Sequence, residues 1–434
     1  MGNFLSSSTP LPGSPDPASK SKLQILLRAN HRQNSVLVDD NGHNYLPHHL
    51  GSVYLLGAPP ARLFQVYDVA ITNTQEWKDP GLQSVEISPD WWKDNIGDKV
   101  SAYQYFHFFG DEVVHCDYDW KAVVKDYLLK DNCFLLKSLI EGECHPLIHL
   151  GYAFELDSFE VAVEALTLAA VCVNFIQPVF SVEMERYQEP EEAYLPAMDV
   201  LKAIGQDQRF NGLFEKPDQE NLKLLLEEFL ELMLEHYRDW DWTKTSLEGL
   251  FDIAVHLYAG THSSTDFAPK FNLSMLQMVT AAHATRICST MLPSNTLPLL
   301  IRELFFAMCL HYITQLRPAF HDDVFEKYDT EGRGWEEVYK SAVNGEGSKD
   351  AHFVQVVRAL RDAEQVYGAK GEFVYGLAIV IRVAVTVAGC AEVASGGKHD
   401  RDLLTNMEST WEICIDDAQD WVRFTVRLET RGKI

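Results

Sequence analysis

Across most of this chain the apolar residues return every three or four positions, block after block. That period lines one face of an α-helix, and it excludes a fold built mainly of strands. Residues 47–67 read as a helical pair, broken at Gly57-Ala58-Pro59-Pro60. Residues 120–140 carry Val123, Val124, Tyr127, Leu128, Leu135, Leu136 and Leu139 at helical spacing. Asp157 or Ser158 can cap a helix through Val161, Ala162, Ala165, Leu166, Ala169 and Ala170. The most amphipathic segment is 219–242, with Leu222, Leu225, Leu226, Phe229, Leu230, Met233 and Leu234 on one wide face. Further blocks span 250–258, 274–291, 299–315, 351–367 and 372–387. Strand-like alternation is confined to 35–38 and 421–428. The expected class is mainly α: a large single helical domain with few short strands.

With 434 residues, 46% of them hydrophobic, the chain can bury a sizeable core. Residues 1–20, rich in Ser and Pro, are expected to be disordered, and 21–434 to form the helical domain. A net charge of −26 argues against a nucleic-acid partner, which is repelled at long range. The longest apolar run, 373–394, carries Arg382 at its middle, a costly residue in lipid, so no transmembrane segment is expected. No secretory signal precedes the domain, and the eight cysteines are scattered without a CxxC pair. Reduced thiols in a cytoplasmic protein are the expectation. The opening Met-Gly-Asn-Phe-Leu-Ser matches the loose N-myristoylation pattern at Gly2, a weak anchor on its own.

The motifs that are missing narrow the chemistry. There is no G-x-G-x-x-G after a strand, no P-loop and no G-x-S-x-G elbow. Residues 329–337 resemble a calcium loop, but Arg333 stands at an oxygen-ligand position, so the segment reads as a turn. The histidines say more. His145 and His149 are four residues apart, on one face if the segment is helical, with Pro146 suited to the first turn. Such a pair can share a metal ion or be two hydrogen-bonded core residues. Of the neighbours His48 and His49, one should face inward, because adjacent helical residues point about 100° apart. His352 opens a predicted helix, with Gln355 three residues on; His256, His262 and His283 lie in apolar blocks. A helical bundle builds metal sites from facing helices.

Several segments together resemble the questin oxidase-like family of fungal oxidoreductases: NGHNYLPHHLGSVYLLGAPPARL (41–63), HPLIHLGYAFELDSFEVAVEALTLAA (145–170), MVTAAH (278–283), YITQLRP (312–318), DAHFVQVVRAL (350–360) and TWEICIDDAQDWVRFT (410–425). The second is the most specific. The resemblance implies oxygen-dependent ring cleavage of an anthraquinone-like polyketide in secondary metabolism. That reaction is of Baeyer–Villiger type with NADPH as reductant, or a dioxygenase reaction at non-haem iron held by histidines and a carboxylated lysine. Carried over, the metal ligands are His48 (or His49), His145, His149 and His352. Two positions depart from the family pattern: Gln277 stands where a histidine is common, and Gln355 where the lysine stands. Glutamine cannot be carboxylated, and its amide is a poorer ligand for iron.

The partners implied are a small aromatic polyketide and molecular oxygen. Glu155 or Asp157 could orient a ligand histidine, and Tyr103, Tyr105, Phe106, Tyr152 and Phe154 could sandwich a flat substrate or simply pack the core. The substitutions at Gln277 and Gln355 leave a second reading, a non-catalytic polyketide-binding protein descended from an enzyme. A helical terpene cyclase lacks its D-D-x-x-D run; His321-Asp322-Asp323 and Asp416-Asp417 are only acidic pairs.

Overall fold

The computed structural model describes residues 16–38, 42–78, 86–186, 195–218, 220–261, 272–321 and 334–368. Among these residues are sixteen α-helices and one two-stranded antiparallel sheet. The fold is mainly α, as the periodicity requires. Helix α1 (Pro17–Gln33) leads into strands β1 (Leu37–Val38) and β2 (Gly42–His43), with Leu37 opposite His43. Then come α2 (Leu46–Leu55), α3 (Pro60–Ala70), α4 (Ala102–His115), α5 (Trp120–Cys133), α6 (Glu141–Leu156) and α7 (Phe159–Val171). The chain continues through α8 (Ile176–Arg186), α9 (Ala197–Gln206), α10 (Asn221–Glu228), α11 (Leu230–Arg238) and α12 (Leu247–Ala259). It ends its described course with α13 (Leu273–Met291), α14 (Leu297–Thr314), α15 (Trp335–Tyr339) and α16 (Ala351–Tyr367).

Side-chain caps set several of these starts. Asp16 accepts from the Ser19 amide, Ser158 from Val161, Ser246 from Gly249, Asn272 from Met275, and Asp350 from His352 and Phe353. Each such cap contributes about 1 kcal/mol. The first corrects the expected boundary of disorder: Asp16-Pro17 caps and opens α1, so residues 17–20 are helical, and Leu23, Leu26 and Leu27 bury its inner face. A second difference lies in 219–242, which is not one helix. Phe229 leaves helical geometry at φ −126°, separating α10, which packs on α14, from α11, which packs on α9 and α14. The bend lets both apolar pairs, Leu225–Leu226 and Met233–Leu234, reach the core.

At the centre, α6 lies between α7 and α13, and α13 in turn meets α12, α14 and α16. Every residue of α7 from Glu160 to Val171 is buried, so this helix is enclosed on all sides. The α6–α13 crossing is close: a Cβ on Gly151 would stand 3.0 Å from Ala284 Cα and 2.8 Å from its Cβ. Helix α2 closes one end of the core against α1, α6 and α16. Among the described residues one helical stretch, Ser294–Thr314, is long and apolar enough to cross a bilayer, and 78% of its apolar window is buried inside the protein. The six described cysteines form no disulfide; Cys390 and Cys414 lie outside the described residues. So do the apolar run 373–394, the helix expected at 372–387, the strand expected at 421–428, and 329–333 of the expected turn. Gly334 already leads into α15.

Candidate functional site

The chain between β2 and α2 is held by Asn44. Its side chain donates to Asn30 Oδ1 (2.9 Å) and Ser35 O (3.0 Å) and accepts from the Leu46 amide (3.1 Å). With Pro47 at the helix start, this turn places His43, Tyr45 and His48 on one side. Facing them is the start of α6. Gly142, Glu143 and Cys144 form a left-handed turn, φ 53°, 56° and 64°, and the right-handed helix follows with Pro146 in its first turn. The Gly142 carbonyl takes the His145 Nδ1 proton at 2.6 Å. For Glu143 and Cys144 a left-handed backbone costs roughly 1–2 kcal/mol per residue, so the surrounding packing must hold the turn that aims His145.

The expected histidines meet here. His48 Nε2 lies 2.9 Å from His149 Nδ1, and the His48 and His145 ring centres are 6.2 Å apart. Tyr45 contacts the rings of His48, His145 and His352. Both members of the His48 and His49 pair are buried, not one as expected, and only His48 joins this cluster. His49 turns the other way and donates to Ser348 O at 2.7 Å. All four rings are almost wholly buried. Burial, the largest cause, pushes His48 well below the ordinary histidine value, His145 down to about 4 and His352 to about 3. Their neighbouring imidazoles add to the effect. These three rings are therefore neutral at pH 7.

The groups around them were only partly legible beforehand. Glu164 of α7 joins His149 Nε2 (2.9 Å) and His31 Nδ1 (3.0 Å), one histidine to each oxygen. Burial alone would raise this carboxyl, but the bonds from His149 and His31 outweigh it and hold the group below its usual value. One turn earlier on α7, Glu160 accepts from Arg28 at 2.9 Å, so α1 and α7 are clasped by two parallel pairs. His43 stacks on His145, centroids 4.2 Å apart, and its Nε2 lies 3.6 Å from Cys172 Sγ. Neither Glu164, His31 nor His43 was singled out from sequence. For Glu164 the available signal was a second carboxylate, four residues after Glu160, in the largely apolar α7.

The acids that had been considered do other work. Glu155 binds His283 (3.1 Å) and Arg358 (2.7 Å), and Asp157 takes the left-handed end of α6 and pairs with Lys121. Of the five aromatic residues proposed for a substrate sandwich, only Tyr152 contacts one of the clustered histidines; it stacks on His48 at 5.0 Å and shares a 2.5 Å hydrogen bond with Ser52. Tyr105 donates to Trp92 O, Phe106 packs on His31 and Trp77, Tyr103 on Trp77 and His107, and Phe154 on Trp120.

As arranged, the cluster is a hydrogen-bonded chain and not a coordination sphere. Both His149 nitrogens are engaged by protein partners. Among the described residues no group of three or more His, Cys, Asp and Glu side chains is placed to hold one metal ion. Gln277 and Gln355 are buried, and the Gln355 amide has neither atom hydrogen-bonded. His48 Nδ1 and His145 Nε2 are buried ring nitrogens without a hydrogen-bond partner. The residues present thus do not fit an iron ion held by all four histidines. A cavity of about 10 Å³, room for one water, touches Tyr152, Glu155, His283 and Gln355. A larger groove of about 640 Å³ lies by α9 and α12 and is lined by none of the four histidines.

The questin oxidase-like family model matches residues 42–360, nearly three quarters of the chain and the span that carries all four histidines. The chain belongs to the questin oxidase-like family. It is similar to the Baeyer-Villiger oxidase ptaJ of Pestalotiopsis fici, 31% identical over 40% of this chain and 39% of that protein. The likeness to the Baeyer-Villiger oxidase mdpL of Emericella nidulans is weaker, 22%, but covers 93% of this chain and 92% of the relative. The questin oxidase of Aspergillus terreus is 29% identical over 33% of this chain and 32% of its own. The match to the first of these spans about two fifths of its length.

Proposed function

We propose that this family member catalyses oxygen-dependent ring cleavage of an anthraquinone-like polyketide, at the buried cluster of His48, His145, His149 and His352. The observation that carries the reading is the coincidence of the two lines: the family match runs through 42–360, and the histidines scattered along that span come together in one buried place. Relatives named as Baeyer-Villiger oxidases and a questin oxidase supply the reaction class. In that class one atom of dioxygen enters beside a ring carbonyl, and a two-electron donor reduces the other to water.

NADPH is the donor that the resemblance implies. The described residues contain no parallel strand pair of the kind that cradles a dinucleotide. The chain's own contribution is a buried cluster of neutral imidazoles. His48 Nδ1 and His145 Nε2 can each take a proton from a phenolic hydroxyl, and proton transfer of this kind contributes roughly 10²–10⁴-fold. Tyr45 and Tyr152 offer flat faces beside those nitrogens.

Purified protein should consume hydroxyanthraquinones such as questin in air with NADPH, giving a ring-opened product, and should leave them unchanged under argon. The buried, unsatisfied amide of Gln355 favours one alternative, a polyketide-binding protein without turnover. Tight binding across a broad panel with no product in air would select that alternative.

A further inference from the structure

We propose that the outer face of α1, together with Phe64 of α3, docks on an anionic lipid surface. The chain as a whole carries a net charge of −26, yet α1 holds four bases, Lys20, Lys22, Arg28 and Arg32, and no acid. The inner face of the helix is Ser19, Leu23, Leu26, Leu27 and Asn30, all buried. On the opposite side Lys22, Ile25, Arg28 and Arg32 follow one another at helical spacing, so they share the outer face. Ile25 stands 58% exposed among them. Phe64, 52% exposed, projects from the neighbouring α3, with the Lys22 ammonium 5.6 Å from its ring centre.

Packing within the fold does not account for this face. Arg28 is clasped to Glu160 at 2.9 Å, which fastens α1 to α7. Among the described residues Lys20, Lys22 and Arg32 have no ion-pair partner, and Ile25 and Phe64 leave half or more of their surface in water. Two acids lie close in the chain, Asp16 at the cap of α1 and Asp68 one turn on from Phe64, against the four bases. Single exposed apolar residues are ordinary on soluble proteins. Here two of them, on adjoining helices, are set beside bases. That combination suits a bilayer surface, where each base gains from anionic headgroups and the apolar tips enter the acyl boundary. A nucleic-acid duplex draws its affinity from phosphate contacts with the bases and gains little from Ile25. Acids elsewhere on the molecule do not cancel the attraction, because screening confines it to about 8 Å at physiological salt. They orient the approach, since a surface of the same sign repels them.

The test is co-sedimentation of the full chain, carrying no acyl group on Gly2, with vesicles of phosphatidylcholine alone or mixed with phosphatidylserine. Wild type should bind the mixed vesicles, release them as salt is raised, and ignore the neutral ones. The triple variant Lys20→Gln, Lys22→Gln, Arg32→Gln should bind roughly 10²-fold more weakly, at about fivefold for each base. The double variant Ile25→Ser, Phe64→Ser keeps every charge and should still lose roughly tenfold. All five side chains reach solvent, so both variants should unfold as cooperatively as wild type. Wild type that leaves the mixed vesicles in the supernatant overturns the proposal, as does equal binding to neutral vesicles. Binding unmoved by either variant would place the contact on another face and also overturn it. A loss in the triple variant alone would mean a site for any polyanion, with no lipid contact at Ile25 and Phe64, and would overturn it too. None of these readings depends on turnover, so the oxygenase reading stands or falls separately.

Discussion

At the residue scale, the site turns on which ring nitrogens are spoken for. The i, i+4 spacing of His145 and His149 put both on one buried face, and Pro146 sits in the first turn, as read from sequence. Helical spacing could not tell that the two rings would be used differently, one bonded to Glu164 and His48, the other stacked on His43. Those partners are more than a hundred residues away along the chain or on another helix, and no local pattern announces them. An iron ion would have to displace Glu164 or His48 from His149. Elemental analysis of freshly isolated protein is therefore expected to find well under one iron per chain, and one tightly held equivalent would contradict the hydrogen-bonded arrangement. Replacing His48 by alanine should reduce kcat by about 10²-fold or more while the protein still unfolds cooperatively. Unchanged turnover in that variant would remove His48 from the chemistry.

At the scale of elements, the site depends on two close approaches. Gly151 lets α6 cross α13 with backbone nearly touching side chain, and Gly51 of α2 faces the Tyr152 ring, which a Cβ there would meet at 2.8 Å. The Ala284 Cα cannot swing aside as a side-chain tip can. Gly151→Ala should cost about 1–3 kcal/mol, measured by denaturant unfolding, whereas an unchanged midpoint would show that the helices part freely. Gly51→Ala should push Tyr152 off His48 and lower activity more than stability. The helix pair of α2 and α3, the start of α16 and the cap at Ser158 were legible because caps, prolines and apolar spacing are local signals. The break at Phe229 and the early start of α1 were not. The first answers to packing on α9 and α14, and the second was hidden by Ser- and Pro-rich composition around one good cap.

At the scale of the whole molecule, the core stores many neutral histidines. His43, His48, His49, His145, His311 and His352 are all pushed below 6.5, chiefly by burial. For a base whose folded value is depressed, the unfolded chain takes up the proton first as pH falls. Their contribution is whole above about pH 6.5 and is lost from there down towards about 4 for His145 and 3 for His352. His283 runs the other way. Burial opposes its charge, but Glu155 and Asp362 raise it, so its share is present below 6.5 and lost as pH rises through its folded value. Those two carboxyls, held low by His283 and arginines despite burial, add further loss below about pH 4.5. Four carboxyls run with His283. Desolvation raises Glu141 and Asp252 to about 7, and Glu303 and Asp350 above their usual values. Each favours the folded protein as pH falls and opposes the six histidines between pH 7 and pH 5. The histidine share is read as a difference: His352→Gln should lose less melting temperature than wild type between pH 7 and pH 5, and equal changes in the two proteins would contradict a neutral buried His352.

The central claim is that oxygen-dependent ring cleavage happens at these histidines, and one isotope experiment tests it most directly. Wild type and His48→Ala are incubated with a hydroxyanthraquinone such as questin and NADPH under ¹⁸O₂, and the products are read by mass spectrometry. The account predicts a ring-opened product from wild type carrying label from dioxygen, and little or none from the variant. A ring-opened product without label, or equal labelled product from both proteins, would contradict it.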